Sequence, residues 1–269
     1  MGNLLTAGLR RMVKSRAFLL ALLAELAYTA LVVLVCWDHY AANTGSYTLE
    51  SVLTAGFGLM GYLSVPSLIA APLLCVHLGT EYSENTLRNK LIVGHTRPAV
   101  YLADLLSCAI AALGLDLLYM LLAGALCVYP VLGMTGRLLT ASPGQLLAWI
   151  AAGLLARAAW ASVVTLTATV LGSRTSAAVA GLLLAVGASL VCSFGFHELE
   201  YLSRHLDAAN RESRLALWQL VLDALPTGQY LQVSRLDTPN LWRLPLLSLA
   251  VAAGSTGIGA ALFQRKDLR

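Results

Sequence analysis

The sequence predicts an all-α, polytopic membrane protein with six transmembrane helices. Hydrophobic residues make up 58% of the 269-residue chain and charged residues only 12%, and the mean hydropathy is +0.73. Soluble domains contain about 45–50% apolar and about 25% charged residues. A water-facing fold could not bury this much apolar surface, so we expect one membrane domain over residues 1–269.

Six apolar segments give the second line of support. A helix needs about 20 residues to cross about 30 Å of hydrocarbon. Helices are favoured because a lipid-facing backbone must satisfy its own hydrogen bonds, and these runs are too long for barrel strands. The predicted spans are residues 17–37, 57–78, 103–129, 145–171, 175–196 and 241–263.

Residues 1–16 precede the first span and are predicted to form an interfacial helix. Their apolar and basic residues separate at helical spacing: Leu5, Leu9 and Met12 against Arg10, Arg11 and Lys14. Such a helix lies on anionic lipid. A frayed basic N-terminus is the alternative, because the run is short and contains Gly8. The first apolar run contains Glu25 and no small-residue cleavage site follows it, so we expect an uncleaved span.

The distribution of lysine and arginine predicts the orientation. Eleven of them flank the spans on one side, in the N-terminal segment, the 79–100 loop, the turn at Arg174 and the C-terminal tail. The facing loop 38–51 has none, and loop 130–144 has only Arg137. By the positive-inside rule, both termini and residues 79–98 are predicted to be cytoplasmic.

The long segment 197–240 is predicted to lie on the extracytoplasmic side. A helix within residues 207–225 would align Leu215, Trp218 and Leu222, and this stripe needs a cover from lipid or from the mouths of the spans. Turn-forming residues are expected to break the chain before the sixth span: Pro226, Gly228 and Pro239.

Residues 81–97, EYSENTLRNKLIVGHTR, form a charged segment between two apolar runs. Asn85 is a suitable N-cap, Gly94 a C-terminal stop, and Pro98 prevents continuation into the third span. We expect a helix of two turns, about 12 Å long, outside the membrane. A helix this short needs a partner surface to be stable.

This segment, continued as PAVYLADLL, resembles the region after the second span of type-2 ABC transporter permeases. Two positions depart from that family's pattern: Asn85 replaces a glycine and Asp104 replaces a common lysine. The basic N-terminal helix, the six spans, the outer segment and the ending FQRKDL are also similar to the family. The matching residues are Glu81, Thr86, Leu87, Arg88, Asn89, Lys90, Leu91, Ile92, Gly94, Thr96 and Arg97.

The resemblance implies the membrane subunit of an ABC exporter in the bacterial cytoplasmic (inner) membrane. The subunit would dimerise with itself or a related permease and bind two cytoplasmic ATPase subunits, which carry ATP and Mg. It would export a hydrophobic or amphipathic substrate, such as a peptide, an antimicrobial, a drug or a lipid-like molecule. The coupling residues that the resemblance implies are Glu81, Glu84, Thr86, Leu87, Arg88, Asn89, Lys90, Leu91 and Arg97.

Nucleotide-binding motifs support placing the ATPase on another chain. The chain has three lysines, and none lies in a GxxxxGK[ST] phosphate-binding loop. GFGLMG (56–61) matches GxGxxG but opens an apolar run, where close helix packing explains it better than a dinucleotide. We therefore expect no cofactor and no catalysis in this chain.

Three ionisable residues fall at membrane depth: Glu25, Asp116 and Arg157. Asp116 and Arg157 lie at similar depth, and an unpaired charge there costs at least about 2.5–3.5 kcal/mol, so we predict that they pair. The pair could fix the bundle or line the translocation path. Glu25 is expected to face a polar cavity or a subunit interface. Pro66 and Pro72 are hinge candidates, with a static kink as the alternative.

Other functional classes find little support in the sequence. The five cysteines form no CxxC pair and the histidines form no HExxH motif, which argues against metal sites. No basic stretch is interleaved with aromatic residues, which argues against nucleic-acid binding. An ATP-independent carrier or channel and an intramembrane enzyme remain the alternative functions.

Overall fold

The computed structural model describes residues 2–44, 47–58, 64–84, 86–205, 210–236 and 241–266. These residues form helices and no strand, which confirms the all-α prediction. Five helices among them are long and apolar enough to cross a membrane, as expected for a multi-pass membrane protein. They are α2 (Arg16–Ala41), α6 (Arg97–Thr135), α7 (Pro143–Leu171), α8 (Arg174–Arg204) and α11 (Arg243–Arg265).

The predicted second span, 57–78, corresponds to a helix that begins later, α4 (Val65–Ser83), and a separate short helix, α3 (Leu49–Thr54), precedes it. The prediction that GFGLMG opens the span is wrong, because Phe57 lies in a turn; Leu59–Gly61 lie outside the described residues. A Cβ atom on Gly56 would lie 2.5 Å from the Tyr119 ring, so this turn needs the glycine. Since the last two turns of α4 are polar, α4 is not among the five apolar helices.

Both hinge candidates lie in α4. Pro66 falls in the first turn, which tolerates a residue without an N–H group, whereas Pro72 lies inside the helix and removes one of its hydrogen bonds. Movement at either proline remains a prediction.

The bundle turns its small and aromatic residues inward and its leucines outward. The core contains Tyr119, Trp160 and a large set of alanines. Leu34 and Leu121 are 69% and 68% exposed on the outer surface. This inverted distribution is stable only if lipid covers the outer face. All five cysteines are buried and unpaired by disulfides.

Short side chains let α4 and α8 approach closely. A Cβ atom on Gly181 of α8 would lie 2.8 Å from Cys75 Sγ and 3.1 Å from the Ala71 carbonyl oxygen of α4. A Cβ atom on Gly79 would lie 2.8 Å from the Arg174 backbone. In a membrane, such close contact supplies much of the association energy between helices.

We expect Gly181→Ala to lower the thermal unfolding temperature in detergent, since overpacking costs about 1–3 kcal/mol. Gly187→Ala is the control. Gly187 lies six residues further along α8, is exposed, and has no atom of the described residues within 4 Å of its Cβ position. The control should be neutral or slightly stabilising, as alanine is the better helix former. Equal loss in both variants would contradict the packing described here.

One end of the bundle, which we call the basal end, collects four segments: α1 (Gly2–Val13), α5 (Thr86–Ile92), the α7–α8 turn and the end of α11. Arg97 and Lys266 join the end of α11 to its neighbours α6 and α7. Arg97 Nη1 donates to the Gln264 carbonyl oxygen at 2.9 Å. Lys266 Nζ donates to the Thr169 carbonyl oxygen at 2.5 Å. These are the segments that the charge count assigns to a common side.

The N-terminal helix forms, but its packed face differs from the predicted stripe. Leu4, Gly8 and Met12 are buried, whereas Leu5 and Leu9 are only half-buried. A Cβ atom on Gly8 would lie 2.7 Å from Ser107 Oγ of α6. The glycine that seemed to weaken this helix in fact allows it to dock closely.

At the opposite, distal end, much of the 197–240 segment is helical and packs on the bundle. Helix α8 continues to Arg204, and α9 (Arg211–Ala224) packs Trp218 against Phe194 of α8, with ring centroids 5.4 Å apart. The cover of the predicted stripe is therefore the chain itself. Residues 206–209 and 237–240, including Pro239, lie outside the described residues.

Pro226 breaks the chain as predicted, because α9 ends at Ala224 and Pro226 begins a new helix, α10 (Pro226–Ser234); Gly228 does not, because it lies inside α10. Nearly all of this helix is buried, and it packs mainly against α7 and α9. A Cβ atom on Gly228 would lie 2.3 Å from the Leu222 carbonyl oxygen, so only glycine fits. The sequence prediction missed α10, because its polar composition is not that of a buried helix.

At the distal end, Glu50 links α3 to the segment that precedes α7. Its Oε1 accepts hydrogen bonds from the N–H groups of Thr140 at 2.5 Å and Ala141 at 2.6 Å. Burial alone would raise the pKa of Glu50, but the Ala141 and Thr140 N–H groups outweigh it and hold the pKa below its ordinary value. The charged carboxylate therefore stabilises the folded state.

We expect Glu50→Gln to lower the unfolding temperature at pH 7, since hydrogen bonds to charged groups contribute about 1.5–3 kcal/mol. Because the folded-state pKa is lowered, this stabilisation is present above pH 4.5 and is lost as the pH falls through the folded value. The difference between the wild type and the variant should therefore shrink in acid. The exposed Glu212→Gln is the control, and a pH-independent difference would contradict the assignment.

Candidate functional site

The charged segment between α4 and α6 folds as the sequence predicts. Helix α5 has two turns, from Thr86 to Ile92. Gly94 ends it with a φ of 100°, and its N–H donates to the Leu91 carbonyl oxygen at 3.0 Å. Pro98 lies in the first turn of α6, so the two helices remain separate. The predicted N-cap, Asn85, lies outside the described residues.

The inner face of α5 is apolar and packed against the bundle. Leu87 is 2% exposed and belongs to a cluster with Leu4 of α1, Tyr101 of α6 and Phe263 of α11. Leu91 packs against the edge of the same cluster. Leu87, with Leu91 beside it, therefore anchors this short helix to side chains from three other helices.

The polar side of α5 forms an ion pair with a buried carboxylate, that of Glu81. Glu81 of α4 is 2% exposed; its Oε1 lies 2.5 Å from Arg11 Nη2 of α1, and its Oε2 lies 2.7 Å from Lys90 Nζ of α5. Thr86 Oγ1 donates to the Glu81 carbonyl oxygen at 3.0 Å and accepts from Arg11 Nη2 at 3.2 Å. One glutamate thus joins three helices.

Asp104 of α6 completes this network, with its Oδ1 at 2.7 Å from Lys90 Nζ. Burial disfavours the charged lysine, but Asp104 and Glu81 outweigh burial and raise the pKa of Lys90 above its ordinary value. The departure of Asp104 from the family pattern therefore has a structural role. We call Arg11, Glu81, Lys90 and Asp104 the basal ionic cluster.

The outer face of α5 is open to solvent. Arg88 and Asn89 are exposed, and Ile92 and Val93 are 72% and 77% exposed at its C-terminal end. Glu84, just before the helix, is exposed as well. Two large aliphatic residues beside charged groups form an exposed patch suited to protein contact.

Arg97 lies apart from this outer face. Its Nη1 donates to the carbonyl oxygens of Phe263, Gln264 and Lys266, which are the last acceptors of α11. It therefore links the start of α6 to the end of α11. The structure places five of the nine predicted coupling residues inward, three outward and one on a neighbouring helix. The inward ones are Glu81, Thr86, Leu87, Lys90 and Leu91; the outward ones are Glu84, Arg88 and Asn89; Arg97 belongs to α6.

The predicted pairing of Asp116 and Arg157 is confirmed. Arg157 Nε donates to Asp116 Oδ2 at 2.7 Å, and Nη2 donates to Oδ1 at 2.5 Å, which is the bidentate arrangement. Both residues are 1% exposed. The Arg157 guanidinium also lies 5.0 Å from the ring centroid of Tyr230 in α10, a cation–π distance.

Glu25 of α2 belongs to the same charged region. It is 2% exposed and interacts electrostatically with both Arg157 and Asp116. Its Oε1 atom and the Nη1 atom of Arg157 have no hydrogen-bond partner among the described residues. The region thus holds two carboxylates, one guanidinium and spare hydrogen-bonding capacity deep in the bundle.

Sequence reasoning missed three residues of these clusters: Arg11, Asp104 and Tyr230. Arg11 could have been suspected from its position on a helix that needs a docking surface. In the sequence, Asp104 stands out only because it replaces a lysine that is common in the permeases this chain resembles. No sequence signal identified Tyr230, because α10 was not predicted.

The described residues contain no group of three or more histidine, cysteine, aspartate or glutamate side chains placed to bind a metal ion. The sequence matches no model of a known protein family and no curated protein. The case for a function therefore rests on the geometry and on the sequence resemblance.

We expect Asp116→Leu and Arg157→Met each to destabilise the protein by about 3–5 kcal/mol, because each leaves a buried charge unpaired. The double variant should recover most of this loss, since two apolar side chains can replace a buried pair. Thermal unfolding in detergent measures all three. Arg204→Gln, which removes an exposed pair with Glu200, is the control and should change little. Additive losses in the double variant would contradict a specific pair.

Proposed function

We propose that this chain is the membrane-spanning permease subunit of an ATP-driven ABC exporter. The observation that carries the proposal is the construction of α5, whose inner face is clamped to the bundle and whose outer face is exposed. A separate cytoplasmic ATPase would bind that outer face. Its closure on ATP would push α5, and through it α4 and α6.

The basal ionic cluster is what makes α5 suitable for this role. A two-turn helix has little stability alone and would bend under load if only one contact held it. Here Leu87, Lys90 and Thr86 connect it to helices α1, α4 and α6 at the same time. Displacement of α5 would therefore move several helices together rather than melt it.

In the proposed mechanism, the buried Asp116–Arg157 pair keeps α6 and α7 aligned with each other while other parts of the bundle move. It joins α6 to α7, and Tyr230 of α10 lies over the guanidinium. In the proposal this region holds the centre of the subunit while the basal end moves. Glu25 would line the transport path beside it.

The other parts of the proposal follow from the sequence resemblance. Six spans, a second permease copy or a related permease, and two ATPase subunits carrying ATP and Mg would form the exporter. The subunit would lie in a bacterial cytoplasmic membrane with both termini inside. The cargo would be hydrophobic or amphipathic, because the bundle interior is lined by small and apolar residues.

The test is purification of the complex in mild detergent, with identification of a co-purifying ATPase and measurement of ATP hydrolysis in proteoliposomes. We expect Ile92→Glu combined with Val93→Glu to abolish both capture and stimulated hydrolysis. Residues at the centre of an interface often contribute 2 kcal/mol or more, so a loss of at least about tenfold is expected for each charge.

Leu138→Glu combined with Leu217→Glu is the matched control. Both leucines are exposed, at 42% and 56%, and both belong to the opposite end of the bundle. This control should keep the ATPase. Transport by the purified chain without any ATPase would overturn the proposal in favour of a carrier or channel.

A further inference from the structure

Two adjoining pockets at the basal end have opposite chemistry. An open pocket of about 320 Å³ is lined largely by basic and polar side chains from α1, α2, α4 and α8. A narrow groove between α2, α4 and α6, with a free volume of only about 10 Å³, has an almost entirely apolar lining. The two share Ser15, Ala17 and His77, so the basic and the apolar surfaces lie side by side.

The basic pocket has cations without partners. Lys14, Arg16 and Arg174 are exposed and make no ion pair among the described residues. Arg11 also lines the pocket but is matched by Glu81. The remaining carboxylate of the described lining is Glu84, so positive charge is in excess.

Backbone geometry adds to this preference for an anion. Arg16 and Arg174 are the first residues of α2 and α8, so two helix N-termini border the pocket, although the Arg174 N–H already donates to Ser83 Oγ at 3.1 Å. The first N–H groups of a helix have no intrahelical acceptor and favour negative charge. Ser15 caps α2 by accepting from the Phe18 N–H at 3.1 Å, which fixes the direction of that helix end.

The groove continues from this pocket along the bundle. Phe18, Leu73, Leu74 and Leu115 line it, with alanines between them. A ligand that bound in the pocket and lay along the groove would need an anionic head and an apolar chain. In a bilayer, the leaflet that faces a basic protein surface supplies that chemistry as anionic phospholipid.

We propose that this pocket and the adjoining apolar groove form a specific binding site for one anionic phospholipid of the basal leaflet. The phosphate lies in the pocket among Lys14, Arg16 and Arg174, and an acyl chain lies along the outside of the narrow groove between α2, α4 and α6. The bound lipid would join α1 and α8, beside the basal ionic cluster. This proposal needs only that the bundle is embedded in lipid, and it is independent of any ATPase.

The test uses the full chain, purified in mild detergent and titrated with phosphatidylglycerol, with the thermal unfolding temperature and native mass spectrometry as readouts. Phosphatidylglycerol should bind and stabilise the chain, and phosphatidylcholine should not. Lys14→Gln, Arg16→Gln and Arg174→Gln combined should weaken phosphatidylglycerol binding roughly 100-fold, since each basic residue near an anionic surface contributes about 1 kcal/mol.

Arg137→Gln, Arg204→Gln and Arg265→Gln combined form the matched control, because they remove the same charge from exposed sites outside the pocket. The control should keep wild-type binding. Ala17→Phe, which fills the junction and leaves every charge in place, should reduce lipid binding; its unfolding temperature in phosphatidylcholine checks that it is folded.

Three outcomes would overturn the site. Equal losses in the triple variant and in its control would mean a general effect of surface charge. Equal stabilisation by inorganic phosphate or glycerol 3-phosphate would mean a soluble-anion site. A triple variant that loses a co-purified protein but retains phosphatidylglycerol binding would mean that the basic pocket contacts a partner instead.

Discussion

The carboxylate of Glu81 is almost fully buried, and the arrangement of the basal end follows from its need for close cationic partners. A buried charge of this kind is tolerated only with close, hydrogen-bonded partners. Arg11 and Lys90 provide them, but they belong to helices on opposite sides of α4 in the chain. Meeting this electrostatic requirement brings α1 and α5 onto α4, and Asp104 then fixes the position of the lysine from α6.

The same constraint operates deeper in the bundle with different partners. Asp116 and Arg157 neutralise each other across α6 and α7, whereas Glu25 from α2 has an oxygen without a hydrogen-bond partner among the described residues. All three charged side chains are buried, and most of the large exposed side chains on these helices are leucines. The charged residues therefore determine which face of each helix is internal, and the leucines only have to cover the rest.

Much of the helix content was predictable, because a long apolar run has few alternatives to a helix in lipid. The helix at residues 86–92 and the Asp116–Arg157 pair were also predictable, from capping residues and from equal depth. The start of the second span was not, since Gly56 is needed against the Tyr119 ring, a contact that sequence spacing does not reveal. Helix α10 was missed because Gln229 and Tyr230 look like surface residues until the helices around them are known.

Helix α10 has a consequence for how the protein is made. Its Gln229 accepts a hydrogen bond from Ser248 of α11, and its Tyr230 lies over Arg157 of α7, so its surroundings come from segments synthesised both before and after it. The surroundings of α10 are therefore complete only once α11 has been synthesised, because Gln229 has its Ser248 partner only then.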